Sequence, residues 1–246
     1  MTLHVERTGR VAILTLDDVD RRNALTPTLV DEIVAATAEL ETDESVGALV
    51  VTGAPPSFCS GADLGNLTEL GEHDPGAVRS IYDGFLRIYN CPLPTIAAVN
   101  GPAVGAGLNL ALACDLRLAG TKARFDARFM RIGLHPGGGH VWLLERAIGP
   151  QAAAAMNLFG ERLTGPRAVE LGLAWECLPD AALLDRAVEL ASRAADAPRE
   201  LASRVKDTLR KAPWQPGFDD AVQYELDHQV WSFRQPYFAE RLRSTR

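Results

Sequence analysis

Ala97-Ala98-Val99-Asn100-Gly101-Pro102-Ala103-Val104-Gly105-Ala106-Gly107-Leu108 is the stretch on which the fold turns. Thr95 to Val99 reads as a strand, Asn100-Gly101 as a tight turn, and Gly105 to Ala113 as a helix. The first turn of that helix is nearly bare. Its unpaired N–H groups and the positive end of its dipole can hold a developing negative charge. Taken alone, the same small residues would serve equally well for close packing of a helix on a sheet.

Upstream, Ala48 to Thr52 reads as a buried strand ending at Gly53, followed by a loop, Ala54 to Gly65, that contains Ser57-Phe58-Cys59-Ser60-Gly61-Ala62-Asp63-Leu64. Small side chains there let a ligand approach the backbone closely. Leu3 to Glu6 and Val11 to Leu16 alternate around Thr8-Gly9 and read as a hairpin. Thr26-Pro27 starts a helix, with Leu29, Val30, Ile33, Val34 and Leu40 on one face. A second helix carries Val78, Ile81, Tyr82, Phe85, Leu86 and Tyr89, and Pro92 and Pro94 end it.

Downstream, Leu116 to Ala119 is another strand, and beyond Gly149 the pattern turns helical: Pro150 to Phe159, a helix begun by Thr164-Gly165-Pro166 and stopped by Gly172, a longer one from Asp180 to before Pro198, then Arg199 to Leu209 and Phe218 to Trp231. Alternating strands and helices imply an α/β fold with a parallel-type sheet. Residues 1–178 form the α/β core in this reading, and 179–246 a helical C-terminal region.

The two small-residue segments, in this order and spacing, resemble the signature segments of the crotonase superfamily, the enoyl-CoA hydratase/isomerase family. Arg21-Arg22-Asn23-Ala24-Leu25, Cys114-Asp115-Leu116-Arg117 and Gly133-Leu134-His135-Pro136-Gly137-Gly138-Gly139 fit the same pattern. The resemblance implies a spiral of ββα units whose C-terminal helices assemble trimers or dimers of trimers and complete the coenzyme A site. It implies an acyl-CoA thioester as ligand, its carbonyl held between the N–H groups of Ala62 and Ala106. Arg21, Arg22, Ala24, Ser60, Ala62, Asp63 and Leu64 would surround coenzyme A, which is part of the substrate, so no separate cofactor and no metal are expected.

In a hydratase of this family two glutamates move the protons. The matching positions are Asn109 and Phe129. An amide does not titrate and a phenyl ring has neither donor nor acceptor, so ordinary hydration is expected to be weak. Gly137, whose amide can hold a water, and His135 and His140, read as neighbours on one loop, are the other candidates for proton handling. Two readings stay open: an enzyme of the hydratase/isomerase type using another proton carrier, or a non-catalytic fatty acyl-CoA binder or carrier.

The rest of the chain agrees. Of 246 residues 47% are hydrophobic and 23% charged, which suits one globular domain with a sizeable core. The net charge of −7 argues against nucleic-acid binding, and the apolar runs are too short to insert in a membrane. Met1 to Arg10 lacks an apolar signal core, so a cytoplasmic location is expected. Cys59, Cys91, Cys114 and Cys177 show no metal or redox spacing and read as reduced thiols.

Overall fold

Strands β2 (Val11–Leu16) and β3 (Ala48–Gly53) are apolar along most of their length because the sheet they build is covered on both faces. The computed structural model describes residues 1–63 and 75–244. The sheet has the order β1-β2-β3-β4-β6-β9, with β1 Leu3–Thr8, β4 Thr95–Val99, β6 Leu116–Gly120 and β9 Glu176–Leu178. β1 pairs antiparallel with β2 and every later pair is parallel.

Alternation divides the core. Ala12, Leu14, Leu16, Leu49 and Val51 face the helices α1 (Pro27–Thr42), α2 (Pro75–Asn90) and α3 (Ala106–Ala113). Val11, Ile13, Ala48 and Val50 face Leu183, Ala187, Ala191 and Ala195 of a later helix, Asp180–Ala195. Thr26 caps α1 by accepting from the Leu29 N–H at 3.2 Å, and Pro27 takes the first helical position, where no N–H is needed.

Several elements depart from the sequence-based expectation. The turn after β4 contains a three-residue strand, β5 (Pro102–Val104), which pairs with β7 (Arg124–Asp126), itself antiparallel to β8 (Arg162–Thr164), in a second sheet. Strands this short carry no periodic signal. Helix α4 (His140–Leu158) begins ten residues before Pro150, so His140 opens a helix rather than sitting with His135 on a loop. Gly149, at φ 76° and ψ 168°, turns the chain inside it. Beyond α5 (Gly165–Glu170) and α6 (Asp180–Ala195) come α7 (Arg199–Lys211), α8 (Phe218–Phe233), two residues longer than expected, and a final helix, α9 (Pro236–Ser244), which the periodicity did not reveal. The expected α/β core and helical C-terminal stretch are both present. Among the described residues no helix is long and apolar enough to cross a membrane.

Candidate active site

The first half of the site is backbone. Arg22 and Asn23 are both left-handed, at φ 53° and 58°. This conformation disfavours side chains, and tertiary contacts hold it. The fully buried Asn23 amide donates to Ala54 O and Ser57 O at 2.9 Å and accepts from the Asp18 N–H at 3.0 Å. Ser60 is strapped to this corner: its N–H donates to Arg22 O and its hydroxyl to Arg21 O, each at 3.0 Å.

Two isolated bridges then set the two small-residue segments. Leu25 donates to Gly61 O at 2.8 Å and accepts from the Asp63 N–H at 3.4 Å, so in this parallel pairing the Ala62 N–H points away from Leu25. Cys59 bridges to Ala103, donating to Pro102 O at 3.1 Å and accepting from the Val104 N–H at 3.0 Å. A Cβ on Gly61, where φ is 106°, would lie 2.7 Å from Val104 O and 3.7 Å from Ala106 N. Only glycine allows this approach. Among the described residues neither the Ala62 nor the Ala106 N–H has a hydrogen-bond partner. Two free amides on adjacent, rigidly held segments can receive one carbonyl oxygen.

The second half is made of side chains. Asn109, on α3, is 1% exposed. Its Nδ2 donates to Gly137 O at 3.0 Å, and its Oδ1 lies 2.7 Å from His140 Nδ1. The Phe129 ring meets His140 edge to face, centroids 4.9 Å apart, and lies on Gly105 at the start of α3. Burial holds the His140 imidazole down at about 4, against a smaller upward pull from the Asn157 side chain, so it is neutral at physiological pH. Gly137 packs where a Cβ would run into the Tyr82 hydroxyl. Asn109, Phe129, Gly137 and His140 are thus brought together.

His135 is not part of this cluster: it is exposed, and its Nδ1 meets Pro136 O at 2.7 Å. Arg21 is exposed and paired at 3.3 Å with Asp18, while the exposed Arg22 guanidinium has no partner among the described residues. Ala24 is buried beside them. Asp63 stays next to Ala62 in the first half, and Leu64 lies outside the described residues. Arg128 and Arg131 both pair with the buried Asp126, at 3.1 and 3.4 Å. Burial pushes the Cys59 thiol up to about 12, which removes it as a nucleophile at neutral pH. Among the described residues no group of histidine, cysteine or acidic side chains could hold a metal ion.

Sequence reading missed Asn23, Tyr82 and Asn157 as site supports. Only Asn157 left a trace, as a lone amide in the alanine-rich run Ala152 to Leu158.

The enoyl-CoA hydratase/isomerase profile matches residues 6–232. The probable enoyl-CoA hydratase EchA14 of Mycobacterium tuberculosis is 49% identical over 240 residues, covering 94% of this chain and 92% of that protein. The 1,2-epoxyphenylacetyl-CoA isomerase of Escherichia coli is 33% identical, covering 96% of this chain and 91% of its own length. Among solved structures, an enoyl-CoA hydratase from Bacillus anthracis superposes with a TM-score of 0.94 at 26% identity, covering 100% of this chain and 96% of that one.

Proposed function

The chain belongs to the enoyl-CoA hydratase/isomerase family of acyl-CoA-processing enzymes, and we propose that within it this protein binds an acyl-CoA thioester, stabilises its enolate between the Ala62 and Ala106 amides, and hydrates enoyl-CoA only slowly. The observation that carries the proposal is the state of Asn109. Both ends of its amide are already engaged, one by Gly137 O and one by His140, and an amide does not titrate near neutral pH, so it can serve neither as general base nor as general acid. Phe129, at the second acid position, is packed against Gly105 and His140. Stabilisation of charge on the thioester oxygen remains while neither residue at the two acid positions can move a proton, so a reaction that forms the enolate by losing a Cα proton needs its acceptor from another group.

Steady-state loss of the enoyl-thioester absorbance of crotonyl-CoA, paired with calorimetry on the same preparation, tests this. Saturable binding with turnover well below roughly 10 s⁻¹, a typical enzyme rate, is the expected result. Turnover at that rate would overturn it. The engaged amide also suits a second reading, a carrier that binds acyl-CoA without turning it over. Binding with no reaction on any acyl-CoA offered would select that reading.

We also assign self-association, as a trimer or dimer of trimers, to the C-terminal helices. Helix α8 buries none of its residues, although Phe218, Val222 and Leu226 lie on it, and an apolar helix left open in this way suits a partner surface. Light scattering that finds only monomer at micromolar concentration would remove this assignment. Four free cysteines, three of them buried, suit work in the reducing cytoplasm.

A further inference from the structure

The Asn109 amide can be oriented without ambiguity. Gly137 O only accepts, so the end 3.0 Å from it must be Nδ2. The other end is Oδ1, which also only accepts, so the His140 Nδ1 at 2.7 Å must carry the hydrogen. The tautomer of a buried, neutral imidazole follows from this one contact. Nε2 then holds the lone pair, and it is buried without a partner.

A second amide shows the same logic. The Asn157 Nδ2 donates to Ala153 O at 3.0 Å, which fixes its oxygen, and that oxygen is also buried and unpartnered. The kink of the chain at Gly149 lets Asn157 influence a residue seventeen positions earlier. His140 is therefore influenced by two amides whose orientations are set by backbone carbonyls, and its single N–H goes to Asn109 alone. Turning Asn109 over to relieve the other side would set its oxygen against Gly137 O.

Stability alone does not explain this arrangement. Unpaired buried polar atoms are costly, and His140 keeps one of its own, Nε2, while an apolar side chain at position 140 would remove it only by leaving Asn109 Oδ1 without its donor. The polar chain gains orientation instead. Asn109 lies one helical turn from Ala106 on α3, and its partner Gly137 begins the glycine turn that leads into α4. Tyr82 and Phe85 back that turn, since a Cβ on Gly137 would meet the first and on Gly138 the second.

We propose that His140 is a positioning residue for the acyl half of the site: its Nδ1–H sets the Asn109 carboxamide, which holds the Gly137 carbonyl and so the Gly137–Gly139 turn at a fixed place beside the oxyanion helix. This rests on the acyl-CoA reading above. His140 itself moves no proton, because it is 1% exposed and Phe129 covers its ring. Position 109 has in this way become a strut.

The test has two arms. Imidazole ¹⁵N NMR on the wild type at pH 7 should find His140 neutral with its hydrogen on Nδ1, and the Nε2–H tautomer would overturn the proposal whatever the ligand data say. Calorimetry with crotonyl-CoA and with free coenzyme A then compares wild type, His140→Leu and His140→Gln. His140→Leu leaves Asn109 Oδ1 unpaired and should weaken crotonyl-CoA binding roughly tenfold while leaving free coenzyme A within about twofold. His140→Gln, which restores an N–H, should recover most of the loss. A folded His140→Leu protein that binds crotonyl-CoA as the wild type does refutes the positioning role. If His140→Leu fails to fold, the tautomer and the His140→Gln affinity decide. A wild type that binds neither ligand sinks the acyl-CoA reading, and the role of His140 toward Asn109 then stands or falls on the tautomer.

Discussion

The oxyanion corner, residues 59–63 against 103–106, and the Asn109–Phe129–His140 corner lie side by side and are built differently. In the proposed function the first would work through main-chain N–H groups, so alanine would suffice at 62 and 106 and the local fold would carry the chemistry. The second would work through side chains, and there the two positions that the proposed function matches to carboxylates hold an amide and a phenyl ring. Backbone chemistry survives substitution as long as the fold does. Side-chain chemistry is lost with the side chain, and the space it leaves is taken up by packing and new hydrogen bonds.

Deleting a main-chain donor should separate the corners most sharply. Ala62→Pro removes one oxyanion N–H and distorts the loop. Any thioester-dependent rate should fall by roughly 10²–10³, and acyl-CoA binding by calorimetry should become weak. Unchanged turnover would mean that the oxyanion corner is not where the carbonyl sits.

Acid sharpens the other side of the comparison. The His140 pKa in the folded chain, about 4, lies below its ordinary 6.5. Between these values the unfolded chain binds the proton and the folded one does not, so folding stability falls as pH drops from about 6.5 towards 4. The loss attributable to this group is roughly 3 kcal/mol, fully avoided above the upper value. Urea unfolding of wild type and His140→Gln across that window should show the wild type losing this much more. Parallel curves would mean that the imidazole is not buried neutral.

Restoring the acids should partly convert the second corner. Asn109→Glu with Phe129→Glu is expected to raise crotonyl-CoA hydration by about one to two orders of magnitude, and by more than either single change, since the two acids act as a unit. Full hydratase rates are not expected. A carboxylate at position 109 would meet His140, and one at position 129 would be buried against the same neutral imidazole. No gain at all would show that the missing acids are not what limits hydration.

The smallest effect belongs to the rim. Arg22→Ala removes an exposed guanidinium without a partner among the described residues, and coenzyme A affinity should fall about three- to fivefold, more at low salt than at high. An unchanged, salt-independent affinity would take Arg22 out of the phosphate site.

Local signals suffice wherever the deciding residues are neighbours in the chain. The Thr26 cap, the stop at Pro92, the strands Ala48–Gly53 and Thr95–Val99, and the bare start of the helix at Ala106 depend on one or a few turns of backbone. Three-residue strands escape such signals because their partners, not their composition, make them strands. His140 is misplaced by its local sequence because a glycine run precedes it and Gly149-Pro150 follows, which together read as loop and helix start.

Sequence alone determined the family, the α/β class, the two small-residue backbone segments, and the identities at 109 and 129. Those follow from residue type and spacing, which the chain carries whatever its path. Tertiary structure decided what Asn109 and His140 do. Asn109's partners lie 28 and 31 residues away in sequence, and Asn157 reaches His140's surroundings only because Gly149 turns the chain, where a straight helix would put those residues about 25 Å apart. A hydrogen bond needs its donor and acceptor within about 3 Å and aligned, and no residue type specifies that until the path between the two has been folded.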